Sequence, residues 1–352
     1  MDNITHSLFG WTVARTGLDR RVPYATATLV LASNAPDIDI VAGLHNGVDY
    51  LAVHRGPTHG PLGVIGLGLV TAAIISAWAR VRGRNGKGAD RPGTHRFLHW
   101  WGLATIGIVC HVLMDLPTSY GTRLLSPFVW TWYALDWMPI IDVYLWVVLG
   151  VAIAAGATRW RERAAILALG LMAFDYAARA TLHERALTKG ALFDAAGTRV
   201  PCAAAPTFVR HSGATDHAPA GPEACVEAAA LPTFFSPFTW RIIRQYQNEY
   251  ELSDRSVLTE RPPVRTTRFG SESGADVVRA RTTRAGRVYF DFARFPIAKV
   301  STHAPALTTV RLLDARFLMM PAGIGDASTS ARLSVVVTFD ESGRVVDQRF
   351  GN

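Results

Sequence analysis

Five nearly uncharged apolar runs dominate the first half of the chain: Val22–Leu44, Gly60–Ala79, His99–Leu116, Trp137–Ala157 and Ala164–Leu182. Each comes close to the ~20 residues that an α-helix needs to cross a bilayer. Hydrocarbon offers no partner to backbone polar groups, so segments of this kind cross as helices. About five spans are expected. A further helix over Asp2–Thr16 is too short to cross unaided, and reads as a tilted partial span or as a helix lying at a membrane face. Over 352 residues the hydrophobic fraction is 49% and the charged fraction 18%, but the apolar excess ends near residue 183. The expected architecture is a membrane α-helical bundle over residues 1–182, then a small, mainly β domain over residues 183–352.

Charge orients the spans. The connection Arg80–Arg96 holds Arg80, Arg82, Arg84, Lys87, Arg91 and Arg96 against one acid, and Arg159, Arg161 and Arg163 fill the next connection but one. Lys/Arg-rich loops stay in the cytoplasm, as Arg15, Arg20 and Arg21 should, whereas Gly43–His59 and Pro117–Asp136 carry one arginine each. Counting through the last span puts Leu182 at the outer face and the C-terminal domain outside the cytoplasm. The net charge of +8 and pI of 9.7 then reflect inward-facing anchors, and no nucleic-acid partner is expected.

Cysteine use agrees with this placement. Cys110 lies inside a run and reads as apolar filler. Cys202 and Cys225 are the tail's only pair, and in an oxidising compartment a disulfide is expected, with two free thiols as the alternative. Ala203–Ala230, rich in Ala, Pro and Gly and carrying His211 and His217, reads as an irregular insert between them. Alternating or β-branched runs at Phe234–Tyr250, Arg287–Ala293, Thr308–Met319, Arg332–Phe339 and Arg344–Phe350 predict strands, with a hairpin turn at Asp340–Gly343. Charges in the tail nearly balance and name no protein partner.

Within the apolar half sits an inventory of metal-ligand chemistry. His111 and Asp115 are one helical turn apart on one face and could hold one ion or bridge two. In a soluble helix the pair would read as a histidine bonded to its neighbour; at membrane depth, ionisable groups face the bundle interior and serve function. Leu116–Thr122 ends that helix and supplies hydroxyls and flexible backbone. Asp37 and Asp39 follow Pro36, which breaks or bends the first span; the alternative for Asp37 is a helix cap. His54 and His59 flank Arg55-Gly-Pro-Thr, so two imidazoles accompany a guanidinium suited to an anion. Asp2 and His6 repeat the four-residue spacing, although an acid near a helix N-terminus needs no further reason. Asp142 lies one turn into the fourth run. In the topology above, the 37/39, 54/59, 111/115 and 142 positions share one depth near the outer face. The expected metal ligands are Asp2, His6, Asp37, Asp39, His54, His59, His111, Asp115 and Asp142; Asp115 and Arg55 are the expected catalytic groups. Asp175, His45, Asp49, His95 and His99 are left out.

The ordered motifs Met-Asp-x-x-Thr-His at 1–6, Asn-x-Pro-Asp-x-Asp at 34–39, His-Arg-Gly-x-Thr-His at 54–59, His-x-x-x-Asp at 111–115 and Thr-Ser-Tyr-Gly-Thr at 118–122 resemble the YdjM-like inner-membrane proteins, described as membrane-bound metal-dependent hydrolases. The resemblance covers about the first 180 residues; Ser236-Pro-Phe-Thr-Trp240 is a faint echo of longer members. It implies a bacterial inner-membrane location, a divalent metal and hydrolysis, and names no substrate. Gly60 departs from it, standing where a small hydroxyl residue is expected, a change that should matter little. A looser resemblance to zinc-dependent phospholipase C and P1-type nucleases, which use a helical HxxxD pair, implies zinc and attack of activated water on a phosphoester. At a membrane face, that points to membrane lipid or a lipid-linked phosphate. Two other classes remain open: an ion-coupled transporter, with Asp and His as coordination or relay groups, and a membrane-anchored interaction protein.

Overall fold

A computed structural model of the chain describes residues 1–84, 94–155, 160–204, 209–211, 224–259, 265–303, 307–318 and 333–351. Its main helices are α1 (Asn3–Val13), α2 (Ala25–Ala32), α3 (Gly47–Val53), α4 (Pro61–Arg84), α5 (Thr94–Asp115), α6 (Val143–Ala154), α7 (Arg161–Leu192), α8 (Ala275–Thr282) and α9 (Arg284–Phe292). The main strands are β1 (Glu227–Pro232), β2 (Thr239–Gln245), β3 (Glu249–Ser256), β4 (Arg265–Gly270), β5 (Pro296–His303), β6 (Leu307–Asp314), β7 (Ser334–Phe339) and β8 (Val345–Phe350). The chain forms two compact units, Met1–Asp39 with Arg55–Ala180, and Ile40–His54 with Thr181–Asn352.

The first unit is helical. Among the described residues three helices are long and apolar enough to cross a membrane, within α4, α5 and α7, and α2 with the 3-10 helix Ala35–Leu44 makes a fourth if that pair, bent by 45°, counts as one span. The bend follows from Pro36, which has no N–H to continue the α-helix and disfavours helical backbone before it. Among the described residues of the fourth apolar run the α-helix starts only at Val143, because Asp142 caps it there, its carboxylate accepting from the Tyr144 and Leu145 amides. Asp2 caps α1 in the same way through the Ile4 and Thr5 amides. α1 packs on α2 and α6, and α5 packs on α2 and α4.

Two glycines set close approaches in this unit. A Cβ at Gly10 would stand 2.8 Å from both the Leu29 carbonyl oxygen and the Ser33 hydroxyl, so Gly10 lets α1 lie directly on α2, the use of small residues typical of membrane helix pairs. At Gly60 a Cβ would collide with the Ser126 carbonyl oxygen. The departure from the family pattern at that position therefore does matter: backbone fills the place where a side chain would go.

The second unit is β-rich. β1 to β4 form an antiparallel sheet in chain order, joined on the β1 side by the short parallel segment Ala203–Ala204. β8, β7, β6 and β5 form a second antiparallel sheet. Trp240 and Ile242 of one sheet, Ile297 and Leu313 of the other, and Phe295 just before β5 share one core, which Ala186 and Leu187 of α7 complete. Cys202 and Cys225 lie at disulfide distance, with Cα atoms 5.0 Å apart. Burial drives the Tyr250 phenol well above its ordinary pKa, and its hydroxyl donates to the Pro296 carbonyl at 3.0 Å.

Several sequence expectations change here. Arg287–Ala293, expected as a strand, is the body of α9: Ala285, Tyr289 and Phe292 recur at helical spacing on its buried side, and Thr283 caps it through the Gly286 amide. Phe234–Tyr250 is a hairpin, β2 and the start of β3, rather than one strand. The expected insert Ala203–Ala230 holds most of β1, and its His217 lies outside the described residues, as do residues 205–208 and 212–223. The Asp340–Gly343 turn joins β7 to β8 as expected, Asp340 N bonding the Arg344 carbonyl at 3.0 Å. Replacing Gly60 by Ser should lower stability by about 1–3 kcal/mol, the usual cost of overpacking, measured as thermal unfolding of the detergent-purified protein; an unchanged midpoint would contradict the close approach.

Candidate metal centre

Asp37, His59, His111 and Asp115 each offer a ligand atom, and these atoms all lie within 4.8 Å of one another. Three chain segments bring them together: the bend after α2, the loop before α4, and the last turn of α5. His111 and Asp115 share one face of α5, with His111 Nε2 3.4 Å from Asp115 Oδ2. His59 Nε2 is 3.5 Å from the same oxygen and 3.2 Å from His111 Nε2. Asp37 Oδ1 stands 3.6 Å from His111 Nε2 and 3.8 Å from His59 Nε2. The side chains of His59, His111 and Asp115 are fully buried, while that of Asp37 is 18% exposed.

Hydrogen bonds fix which nitrogens face the cluster. His111 Nδ1 is 2.7 Å from the Ser33 carbonyl oxygen; a carbonyl only accepts, so Nδ1 carries the proton and Nε2 presents its lone pair. His59 Nδ1 is 3.0 Å from the Thr58 hydroxyl, which lies 3.5 Å from Asp39 Oδ2. When the Thr58 hydroxyl donates to Asp39 it accepts from the His59 Nδ1 proton, and in that tautomer His59 Nε2 is a second lone pair. Two lone pairs 3.2 Å apart repel, and Asp115 Oδ2 beside them is buried and accepts no hydrogen bond from a described residue. A cation among them satisfies all three atoms, so these residues fit a metal ion. The carbonyl and hydroxyl behind the histidines are the orienting partners that ligating imidazoles ordinarily have.

The other oxygen of Asp115 faces a different set of groups. Oδ1 is 3.1 Å from Arg55 Nη2, 3.4 Å from His6 Nε2 and in contact with the Met1 ammonium. Arg55 is held in left-handed backbone (φ 49°), with Nη1 donating to the Thr118 hydroxyl at 3.2 Å and the Gly121 carbonyl at 3.1 Å, and with the guanidinium over the Tyr120 ring. Its amide donates to Asp39 Oδ2 at 2.7 Å.

The nine expected ligands thus separate. Asp37, His59, His111 and Asp115 come together. Asp39 lies behind His59 and holds the Arg55–His59 loop. His6 stacks on His111 with ring centroids 3.9 Å apart, and both its ring nitrogens are buried with no hydrogen-bond partner among the described residues. Asp2 is occupied as a helix cap and accepts from the Thr5 hydroxyl. His54 belongs to the other unit, where its Nε2 is 3.1 Å from the Tyr50 hydroxyl. Asp142 caps α6 and pairs with the buried Arg179 at 2.5 Å, which also bonds Asp175 at 3.2 Å. Sequence reasoning missed Arg179 as the partner that Asp142 and Asp175 share, although the i, i+4 spacing of Asp175 and Arg179 within a span was a visible signal. The Ser33 carbonyl could not be foreseen, since nothing in a residue's type marks a backbone acceptor.

Several membrane-length helices and a buried His/Asp cluster define a multi-pass membrane protein with a candidate metal centre. The chain belongs to the YdjM inner membrane protein family, whose model matches residues 1–186. It is similar to the uncharacterized protein YfhP of Bacillus subtilis (strain 168), 31% identical over 162 residues, or 44% of this chain and 46% of that protein. The chain thus covers about half the length of that curated relative. No solved structure matches it.

His111→Ala and Asp115→Ala should each abolish bound metal in purified protein, read by elemental mass spectrometry. Thr58→Val should weaken metal affinity about 10–100-fold, the usual effect of removing a group that orients a ligand. Asp142→Asn should keep full metal content but lower stability by about 3–5 kcal/mol, since it leaves Arg179 short of a carboxylate in a buried pair. Metal loss in Asp142→Asn at unchanged stability would return that residue to the ligand set.

Proposed function

We propose that this protein is a divalent-metal-dependent hydrolase embedded in the bacterial inner membrane, acting on a phosphoester, with membrane lipid or a lipid-linked phosphate as the substrate. The observation that carries the reading is the meeting of His59 Nε2, His111 Nε2 and the unbonded Asp115 Oδ2 beside Asp37. Two imidazoles and two carboxylates suit zinc. A metal bound there supplies Lewis acidity toward a phosphoryl oxygen and makes water acidic enough to act as a nucleophile at neutral pH.

The chain's own residues account for the rest. Ser33 and Thr58 hold the two imidazoles in the tautomer that points Nε2 at the ion. Arg55, whose guanidinium reaches Asp115 Oδ1, is the group suited to a phosphoryl anion, because its planar fork matches two oxygens at once. Thr118 and the Gly121 carbonyl keep that fork in place. Because only Asp37 among the four ligands is partly open, substrate reaches the centre past Asp37, and buried walls exclude water from the other sides. Ile38, between the two acids, is 57% exposed, an apolar side chain at the entrance that favours an amphiphile.

The Lys/Arg loop bias supports five spans, with the C-terminal unit outside the cytoplasm and the site near the outer face. Reporters fused after Arg84 or Arg161 should be cytoplasmic and one at Asn352 exported; a cytoplasmic C-terminus would remove the shared depth of the ligands. Purified protein, screened against phosphodiesters and lipid phosphates, should hydrolyse at least one in a zinc-dependent, chelator-sensitive manner. His111→Ala should eliminate that turnover, and Arg55→Lys should raise KM more than it lowers kcat. Zinc bound at full occupancy with no turnover across the screen, together with zinc flux into proteoliposomes, would favour a transporter.

A further inference from the structure

We propose that the β-rich unit is pinned to the bilayer surface by an aromatic tip made of Phe234, Phe235, Phe238 and Leu258. These side chains are 50%, 79%, 43% and 64% exposed, on a unit whose other large apolar residues mostly fill its core. They come from two neighbouring loops: residues 233–238 join β1 to β2, and Leu258 follows β3, whose continuation Val257 donates its amide to the Phe238 carbonyl at 2.9 Å. Exposed at one end of a hairpin, these four large side chains make an apolar patch, and α7 shows what it meets.

α7 is continuous over 32 residues, which at ~1.5 Å per residue is about 48 Å, against about 30 Å of hydrocarbon. Trp160, Arg161 and Arg163 mark one interface. About 20 residues further on, at Leu182–Arg185, the helix must leave the hydrocarbon, and Glu184 and Arg185 are its first exposed charges beyond that point. The helix then enters the β unit's core through Ala186 and Leu187.

Two contacts set the direction of β2 along this emerging stretch. Trp240, near the strand's start, packs edge-on against His183 with ring centroids 5.6 Å apart. Arg244, near its end, donates to the Gly190 carbonyl at 2.7 Å. From His183 to Gly190 the helix climbs about 10 Å, and from Trp240 to Arg244 the strand advances about 13 Å. β2 therefore runs away from the membrane beside α7. The loop before it, and the end of the antiparallel β3, lie at the membrane end, at the level where α7 exits. The tip thus faces the headgroup region, where Phe and Leu on an amphipathic surface bury their side chains against the acyl chains. This holds whichever side of the membrane the unit occupies, and it does not depend on the hydrolase reading.

The test uses the full chain with Cys110→Ala, its two remaining cysteines paired, reconstituted in phosphatidylethanolamine/phosphatidylglycerol vesicles. Leu258→Cys, Phe234→Cys and, at the far end of the same hairpin, Gln247→Cys are each labelled with an environment-sensitive fluorophore. At 258 and 234 the emission should be blue-shifted, quenched by nitroxide-bearing lipids and sheltered from iodide; at 247 the pattern should be reversed. Iodide quenching at 258 and 234 equal to that at 247 would overturn the proposal. So would shelter from both quenchers, since protein rather than lipid would then cover the tip.

Discussion

The candidate metal centre depends on one hydrogen bond, from His111 Nδ1 to the Ser33 carbonyl. A carbonyl in the middle of a regular helix is taken by the amide four residues on. Here α2 stops at Ala32 and the chain turns into a 3-10 segment, where the carbonyl of Ser33 would look three residues on, to Pro36, which has no amide to give. The same turn that leaves Ser33 able to accept from α5 carries Asp37 round toward His111. One proline thus creates the acceptor that sets the histidine's tautomer and delivers a second ligand to it. In a medium without water this bond also removes a polar atom that would otherwise be costly to bury.

Two sets of buried charges in the helical unit are put to different uses. Around Asp115, one oxygen faces Arg55 and the other faces the two imidazoles, so its charge is divided between a fixed cation and the place for an ion. Further along the helical unit, Asp142, Arg179 and Asp175 form a self-sufficient set joined across α6 and α7. The first set has an atom left over for a ligand; the second binds helices together. In hydrocarbon each would be prohibitive without partners, and the difference in how partners are used separates a site from a structural tie.

Much of this was legible in the residues. Apolar run lengths located α4, α5 and α7, and the i, i+4 pair His111/Asp115 identified the seam of the site, because helical geometry puts those two on one face. Pro36 forecast the bend. Residue type alone did not discriminate among acids and histidines: Asp2 and Asp142, expected as ligands, cap helices in the structure, and His54, only five residues from His59, belongs with the other unit. Capping and ligation use the same carboxylate oxygens, and only the position of the neighbouring amides decides between them. In the β unit, the aromatic and β-branched content of Arg287–Ala293 read as strand, whereas burial of Ala285, Tyr289 and Phe292 at helical spacing made it α9. Composition outvoted periodicity there, and periodicity was the better guide.

The most direct measurement of the central claim is X-ray absorption at the zinc edge on purified, zinc-loaded protein. Two imidazole nitrogens and carboxylate oxygens near 2.0–2.1 Å, with one imidazole contribution lost in His111→Ala, are what the geometry predicts. A sulfur ligand, an all-oxygen shell, or a spectrum unchanged by His111→Ala would place the metal elsewhere and contradict the account.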